Sequence, residues 1–262
     1  MIKNKILVAL DFDHTIIDAN SDTCINRLAP DGKIPDELKE LYRKNGWTQY
    51  MREVFKYLHK NGISKDQLLD CVGSVSLSPG MEELFKGLPE NKTEFIIISD
   101  SNILFITHIL ERYKLMSHFD TVFTNPAAFS EDGCLGIDMF HFQNYCSLST
   151  VNLCKGKILH DYVEKKSSLG VNYDCIAYVG DGTNDFCPSL CLDKMDIVFP
   201  RVGFNLINHI KKMEEEKNLK IKAEIFPWSN GSQILEKLLS FYQKDSQEEF
   251  PSPRIMDPSV SN

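Results

Sequence analysis

No stretch of this 262-residue chain approaches the roughly 18 consecutive apolar residues of a membrane span. The apolar run Ile6 to Leu10, behind Lys3 and Lys5, is too short for a signal peptide. Basic charge is not in excess either. The formal net charge of −8 disfavours a nucleic-acid or anionic-membrane partner, although a small phosphorylated molecule, bound locally, stays open. Eight cysteines are scattered rather than concentrated in a small scaffold, so free thiols in a reducing cytoplasm are expected. A G-x-x-x-x-G-K-[ST] segment is absent, which removes a P-loop. What remains, 42% hydrophobic and 25% charged residues, is an ordinary globular composition. The length suits one large domain, or a core with a smaller one.

Four short apolar runs read as buried strands: Ile6 to Leu10, Phe95 to Ile98, Thr121 to Phe123 and Ile176 to Val179. Helical patterns at Gly80 to Leu88, Ile103 to Tyr113 and Lys155 to Val163 alternate with them. That order predicts an α/β fold with a parallel, Rossmann-like sheet. Residues 19–78 break the rhythm with amphipathic helices at Glu37 to Tyr42, Thr48 to Leu58 and Lys65 to Val72. They read as an inserted helical cap between hinges near Asp18 and Ser78. The expected organisation is core at 1–18, cap at 19–78, core at 79–244 and a disordered tail at 245–262.

The first strand delivers Asp11 and Asp13 onto the loop that follows it. Unpaired charge is costly away from water, and open α/β sheets bind ligands at this edge. Two carboxylates there point to a cation; a polar turn is the plainer reading of that pair alone. If the extended conformation persists, the two side chains face the same way. Gly180-Asp181-Gly182-Thr183-Asn184-Asp185 is a second acidic strand end. It begins like a dinucleotide fingerprint, but its last position is Asp185, and Asp181 would repel a pyrophosphate. Ser99 ends a third strand, where it could also cap the next helix. Lys155 opens a helix, where it could be one surface lysine among many.

Taken together, Asp-x-Asp-x-Thr, Ser, Lys and Gly-Asp-Gly-x-x-Asp, spanning Asp11 to Asp185, resemble the haloacid dehalogenase superfamily of phosphotransferases. The resemblance implies Mg²⁺ held by Asp11 and Asp181 side chains and the Asp13 carbonyl, with Asp185 supporting the metal or its waters. It makes Asp11 the nucleophile that forms an aspartyl-phosphate, and Asp13 the acid and then the base. Ser99, Lys155 and amides near Thr15 would hold the phosphoryl oxygens. An acid at Asp13 separates a phosphomonoester phosphatase from dehalogenases and phosphonate hydrolases.

Longer matches, among them Asp11 to Asp18, Asn20 to Thr23, Tyr42-Arg43-Lys44, Ile97 to Asn102, Phe123 to Phe129 and Asn152 to Lys155, resemble one branch. It is the branch of phosphoethanolamine/phosphocholine phosphatase and its pyridoxal-phosphate phosphatase paralogue, and the paralogue is nearer. Pyridoxal 5′-phosphate is therefore the expected substrate. Phosphoethanolamine or phosphocholine is the alternative, and a non-catalytic phosphometabolite binder a more distant one. In that branch, acids matching Asp22 and Asp100 hold the substrate and would face a cationic group. The plainer roles are a helix N-cap for Asp22 and a cap or turn for Asp100. Trp47 and Tyr50 could wall a ring or simply pack the core. The chain departs from the branch at His141 to Ser149, where the second His and second Cys of a His-x-His-x-Cys-x-x-Cys pattern are missing. Cys187 and Cys191 read as structural thiols.

Overall fold

The computed structural model describes residues 5–42 and 46–244; the expected tail and the Arg43-Lys44 match lie outside the described residues. The strands are β1 (Ile6–Leu10), β2 (Thr93–Asn102), β3 (Phe119–Asn125), β4 (Ala127–Phe129), β5 (Leu135–Ile137), β6 (Cys175–Gly180), β7 (Ile197–Pro200) and β8 (Glu224–Ile225). Six of them form a parallel sheet in the order β3-β2-β1-β6-β7-β8, and β4 and β5 pair as an antiparallel hairpin. All four strands expected from the sequence are present. The hairpin, β7 and β8 were not expected, because they have two to four residues each, too few for a periodic signal.

The helices are α1 (Ser21–Cys24), α2 (Asp36–Lys39), α3 (Trp47–Lys60), α4 (Lys65–Gly73), α5 (Met81–Gly87), α6 (Ile103–Arg112), α7 (Lys155–Ser168), α8 (Phe186–Leu190), α9 (Asn205–Lys217) and α10 (Gly231–Lys244). They cover both faces of the sheet, which is why β1 is apolar throughout and wholly buried. Ile6, Val8 and Leu10 face one core layer, while Leu7 and Ala9 alternate into the other beside Tyr178, Leu159 and Leu206. Each fully buried aliphatic side chain of this kind contributes about 1.5–3 kcal/mol before chain entropy is counted.

Residues 19–76 leave the sheet and return to it through a narrow stem. Ile17 and Leu77 form an antiparallel bridge, Asp18 N donates to Ser76 O at 2.9 Å and Ser78 N donates to Ile16 O at 2.9 Å. The helices between pack into the same core layer as β1, with Phe55 of α3 edge-on to Phe105 of α6 at 5.8 Å. Ser64 and Gln67 make a reciprocal capping box that starts α4.

β1 lies between β2 and β6, and Leu10 pairs with both Ile97 and Val179. The chain builds outward from β1 in one direction and then in the other, so the carboxyl end of β1 is a topological switch point. That register brings Asp11, Ser99 and Asp181 to one edge.

On β2, the buried Glu94 accepts hydrogen bonds from the Tyr162 and Tyr173 hydroxyls and pairs with Lys5 at 2.6 Å and Lys166 at 2.7 Å. Burial alone would raise its pKa, but these four donors hold the carboxyl down at about 2. Its stabilisation is therefore present above the usual carboxylate range and is lost as the pH falls from about 4.5 towards 2. Glu94→Gln should lower the unfolding free energy at pH 7 by about 3 kcal/mol. Urea titrations at neutral and acid pH should show the gap from wild type closing as the solution is acidified.

Candidate active site

The extended conformation of β1 stops at Asp11, whose N–H still donates to Val179 O at 2.9 Å. The next side chain, Phe12, is buried in the core, and His14 takes a left-handed φ of 54°. Asp11 and Asp13 therefore do not share a direction by strand alternation; the loop winds so that both line one cavity. Backbone amides fix the pair: Phe12 N donates to Asp11 Oδ1 at 2.7 Å, and Ser21 N to Asp13 Oδ1 at 2.8 Å. Arg201, at the end of β7, grips the loop from outside. Its guanidinium donates to His14 O at 2.5 Å and to Asp18 Oδ1 at 2.6 Å.

Lys155 is no surface lysine: it is 1% exposed. Its Nζ lies 2.7 Å from Asp11 Oδ2 and 2.7 Å from Asp185 Oδ1. Burial pulls its pKa down, but Asp11, Asp185 and Asp100 outweigh that and leave it raised, so the ammonium is charged at neutral pH. Asp185 also accepts from the Tyr178 hydroxyl at 2.7 Å, and from the Asp181 and Gly182 amides at 3.0 and 2.9 Å. These four donors fill the acceptor capacity of one carboxylate. Asp185 thus shapes the loop that carries Asp181. Gly180 permits this approach, since a Cβ there would sit 2.5 Å from the Asp185 carboxyl.

Above this floor is a cavity of about 320 Å³ lined by Asp11, Asp13, Ser99, Asp100, Asp181 and Asp22, among others. Ser99 is 1% exposed and accepts from Ser101 N at 3.2 Å; the α6 cap is Asn102. Thr15 is fully buried, does not line the cavity, and points its hydroxyl at Asp181 Oδ1 over 3.4 Å. Its amide donates to Phe12 O at 3.3 Å.

The cavity's far wall corrects the N-cap reading of Asp22. Asn20 caps α1, accepting from Thr23 N at 2.8 Å, and Asp22 faces the cavity. Asp22 Oδ2 accepts from Trp47 Nε1 at 2.9 Å and Oδ1 from Asn102 Nδ2 at 3.3 Å. Asp100 is held by Asn184 Nδ2 at 2.9 Å. Trp47 lines the cavity together with Tyr42, whereas Tyr50 is buried behind them. Sequence reasoning did not single out Thr48, Asn152, Asn184 or Tyr178. The long-range bonds Asn152 Nδ2 to Thr48 Oγ1 (3.2 Å) and Asn184 to Asp100, and the local bond Tyr178 to Asp185, reveal their place.

Asp11, Asp13, Asp22, Asp100, Asp181 and Asp185 gather around a single paired cation, Lys155, among the described residues. Burial is the main cause in each shifted group. It raises Asp11 well above the carboxylate range against the pull of Lys155, and raises Asp100. It carries Asp13 to about 6, Asp181 to about 7 and Asp22 to about 8. One oxygen from each of Asp11, Asp181 and Asp185 lies within 4.8 Å of the others. A hard, oxygen-preferring divalent cation fits Asp11, Asp181 and the surplus negative charge here, while Asp185, engaged by its four donors, positions the Asp181 loop.

Asp22 titrates higher folded than unfolded, so the native protein binds the extra proton between the usual carboxylate value and about 8. Its contribution to stability therefore falls as pH rises through that window. Asp22→Asn should melt at a higher temperature than wild type at pH 8, with the difference shrinking towards pH 4. Differential scanning calorimetry in chelator would show it.

A family model described as Putative Phosphatase matches residues 6–242. The Homo sapiens protein "Pyridoxal phosphate phosphatase PHOSPHO2" is 43% identical over 244 residues, covering 92% of this chain and 100% of the relative. The Homo sapiens phosphoethanolamine/phosphocholine phosphatase is 34% identical over 232 residues, covering 88% and 86%. A solved phosphoserine phosphatase, described as a phospho-aspartyl intermediate analogue, shares the fold with a TM-score of 0.57 at 18% identity, over 90% of this chain and 99% of its own. Matched from the first strand into the last described helix, the chain belongs to the Putative Phosphatase family and is a phosphoric monoester hydrolase.

Proposed function

We propose that the protein is a Mg²⁺-dependent phosphatase of small phosphomonoesters that works through a phosphate ester on Asp11, with pyridoxal 5′-phosphate its best substrate. Residues 1–18 and 79–244 serve as the catalytic core, and residues 19–78 as a cap that supplies Asp22 and Trp47. The observation that carries this reading is the two-part cavity. Its floor holds Asp11 against Lys155 at 2.7 Å, and its far wall holds a buried carboxylate, Asp22, whose partners Trp47 and Asn102 are neutral.

The Asp11 and Asp181 side chains and the Asp13 carbonyl would hold Mg²⁺, which would supply charge neutralisation for the phosphoryl oxygens. Lys155 and the Phe12 amide orient the Asp11 carboxylate for in-line attack on phosphorus. As the Asp11 oxygen–phosphorus bond forms, the ester bond breaks and Asp13 passes its proton to the departing oxygen. A carboxyl raised to about 6 by burial can hold that proton near neutral pH. Asp13 then takes a proton from the water that attacks phosphorus, which frees Asp11 and releases inorganic phosphate. Lys155 and the buried Ser99 hydroxyl meet the charge on the phosphoryl group. A ring of Trp47 and Tyr42 beside Asp22 and Asp100 suits a flat, cationic pyridinium.

The same aromatic wall favours a second reading, phosphoethanolamine or phosphocholine, since quaternary and primary ammonium groups also bind carboxylates and aromatic faces. Among the described residues no helix is long and apolar enough to cross a membrane, and the eight scattered cysteines suit a cytoplasmic setting.

Phosphate release should require Mg²⁺ and run fastest on pyridoxal phosphate among that compound, phosphoethanolamine, phosphocholine and an aryl phosphate. Turnover of pyridoxal phosphate no faster than the aryl phosphate would overturn the substrate. Asp13→Asn should lower kcat by about 10²–10⁴-fold. Asp22→Asn should instead raise KM for cationic substrates while leaving the aryl phosphate nearly unaffected.

A further inference from the structure

Cys146, Cys154 and Cys187 come from three separate parts of the chain, yet their sulfurs lie within 4.8 Å of one another. Cys146 sits in the loop before α7, Cys154 is the N-cap of α7 and Cys187 is on α8. All three are at most 5% exposed. Cys187 Sγ is 3.5 Å from Cys146 Sγ and 3.8 Å from Cys154 Sγ. Four sulfurs at about 2.3 Å from a tetrahedral zinc ion are about 3.8 Å apart, so these thiols already sit near the edge length of that polyhedron. The missing second His and Cys of the 141–149 segment thus do not empty the site, because Cys187 arrives from across the fold. His141 instead accepts a hydrogen bond from the Cys154 amide at 3.2 Å.

We infer that Cys146, Cys154 and Cys187 form a structural site for a thiophilic divalent ion, zinc, separate from the carboxylate centre. Three thiols lose their protons to solvent as the ion binds, and the sulfurs become its ligands. The Ser149 hydroxyl, 3.5 Å from Cys146 Sγ, is a fourth donor within reach. Cys191 is one helical turn beyond Cys187 and presses on Gly156 with it: a Cβ on Gly156 would lie 2.7 Å from Cys187 Sγ and 3.1 Å from Cys191 Sγ. Sulfur ligands select zinc over magnesium, and the Asp cluster does the reverse.

The position gives the site its purpose. Cys154 immediately precedes Lys155, and Cys187 follows Asp185 by two residues. An ion joining the two cysteines clamps together the segments whose side chains form the buried Lys155–Asp185 pair. It would do so without touching substrate.

The test uses the full-length protein in excess Mg²⁺. Elemental analysis should find one zinc per chain. Replacement by Co²⁺ should give thiolate-to-cobalt charge-transfer absorption in the near ultraviolet and the visible bands of tetrahedral cobalt. Cys187→Ser should weaken zinc binding by more than the roughly tenfold that loss of a supporting group costs. Asp181→Asn should leave the thiolate band in place. Absence of that band in Co²⁺-treated wild-type protein would overturn the inference, and this result needs no variant to fold. Persistence of the band in a folded Cys146→Ser/Cys187→Ser protein would overturn it too.

Discussion

The active site depends on one buried ammonium. Lys155 stands between Asp11 and Asp185 at 2.7 Å from each, almost wholly removed from water. A buried ion pair of this kind gives little net stability against an apolar packing, but removing one partner strands the others. Its value here is positional. Asp185 is bound at once to Lys155, Tyr178 and the amides of Asp181 and Gly182. Through Lys155 the acidic loop after β6 is tied to the loop after β1, and the parallel register brings both to the same edge. Asp11, the buried ammonium and the second acidic loop are thereby held as one unit.

Around that unit, the protein tolerates more carboxylate than it neutralises. Asp13, Asp22 and Asp181 are pushed up to about 6, 8 and 7 mainly by burial. Such a site is destabilising by itself and suits the arrival of cations from outside. The division follows the architecture: the strand ends of the sheet supply Asp11, Ser99 and Asp181, and residues 19–78 supply Asp22 and the aromatic wall. Stability given up at Asp22 is the kind of local cost that binding sites carry.

The catalytic strand ends were legible in the sequence because their signal is local. An apolar run followed by Asp11-Phe12-Asp13, or by Gly180-Asp181-Gly182, marks a strand and its acidic loop without knowledge of the fold. β2 was read too short because Ser99 to Asn102 are polar, although the strand extends to Asn102 and its ladder to β3 resumes there opposite Asn125. The contact between the buried Thr15 hydroxyl and Asp181 has no local signal, because the two lie 166 residues apart. Whether Asp22 caps a helix could not be decided locally, since an acid near a helix start fits a cap equally well; the structure gives the cap to Asn20. The contacts of Thr48, Asn152 and Asn184 could not be read locally, because the pairs Thr48–Asn152 and Asp100–Asn184 lie 104 and 84 residues apart. The thiol cluster was hidden for the same reason, with Cys187 and Cys146 separated by 41 residues.

The central claim is that Asp11 carries the phosphoryl group during turnover. Enzyme mixed with pyridoxal phosphate and Mg²⁺, quenched in acid within one turnover, and reduced with borohydride would convert an aspartyl-phosphate to homoserine. Peptide mass spectrometry should then find homoserine at position 11 and at no other aspartate. Unmodified Asp11 under conditions of active phosphate release, or homoserine at Asp13 or Asp181 instead, would contradict the account.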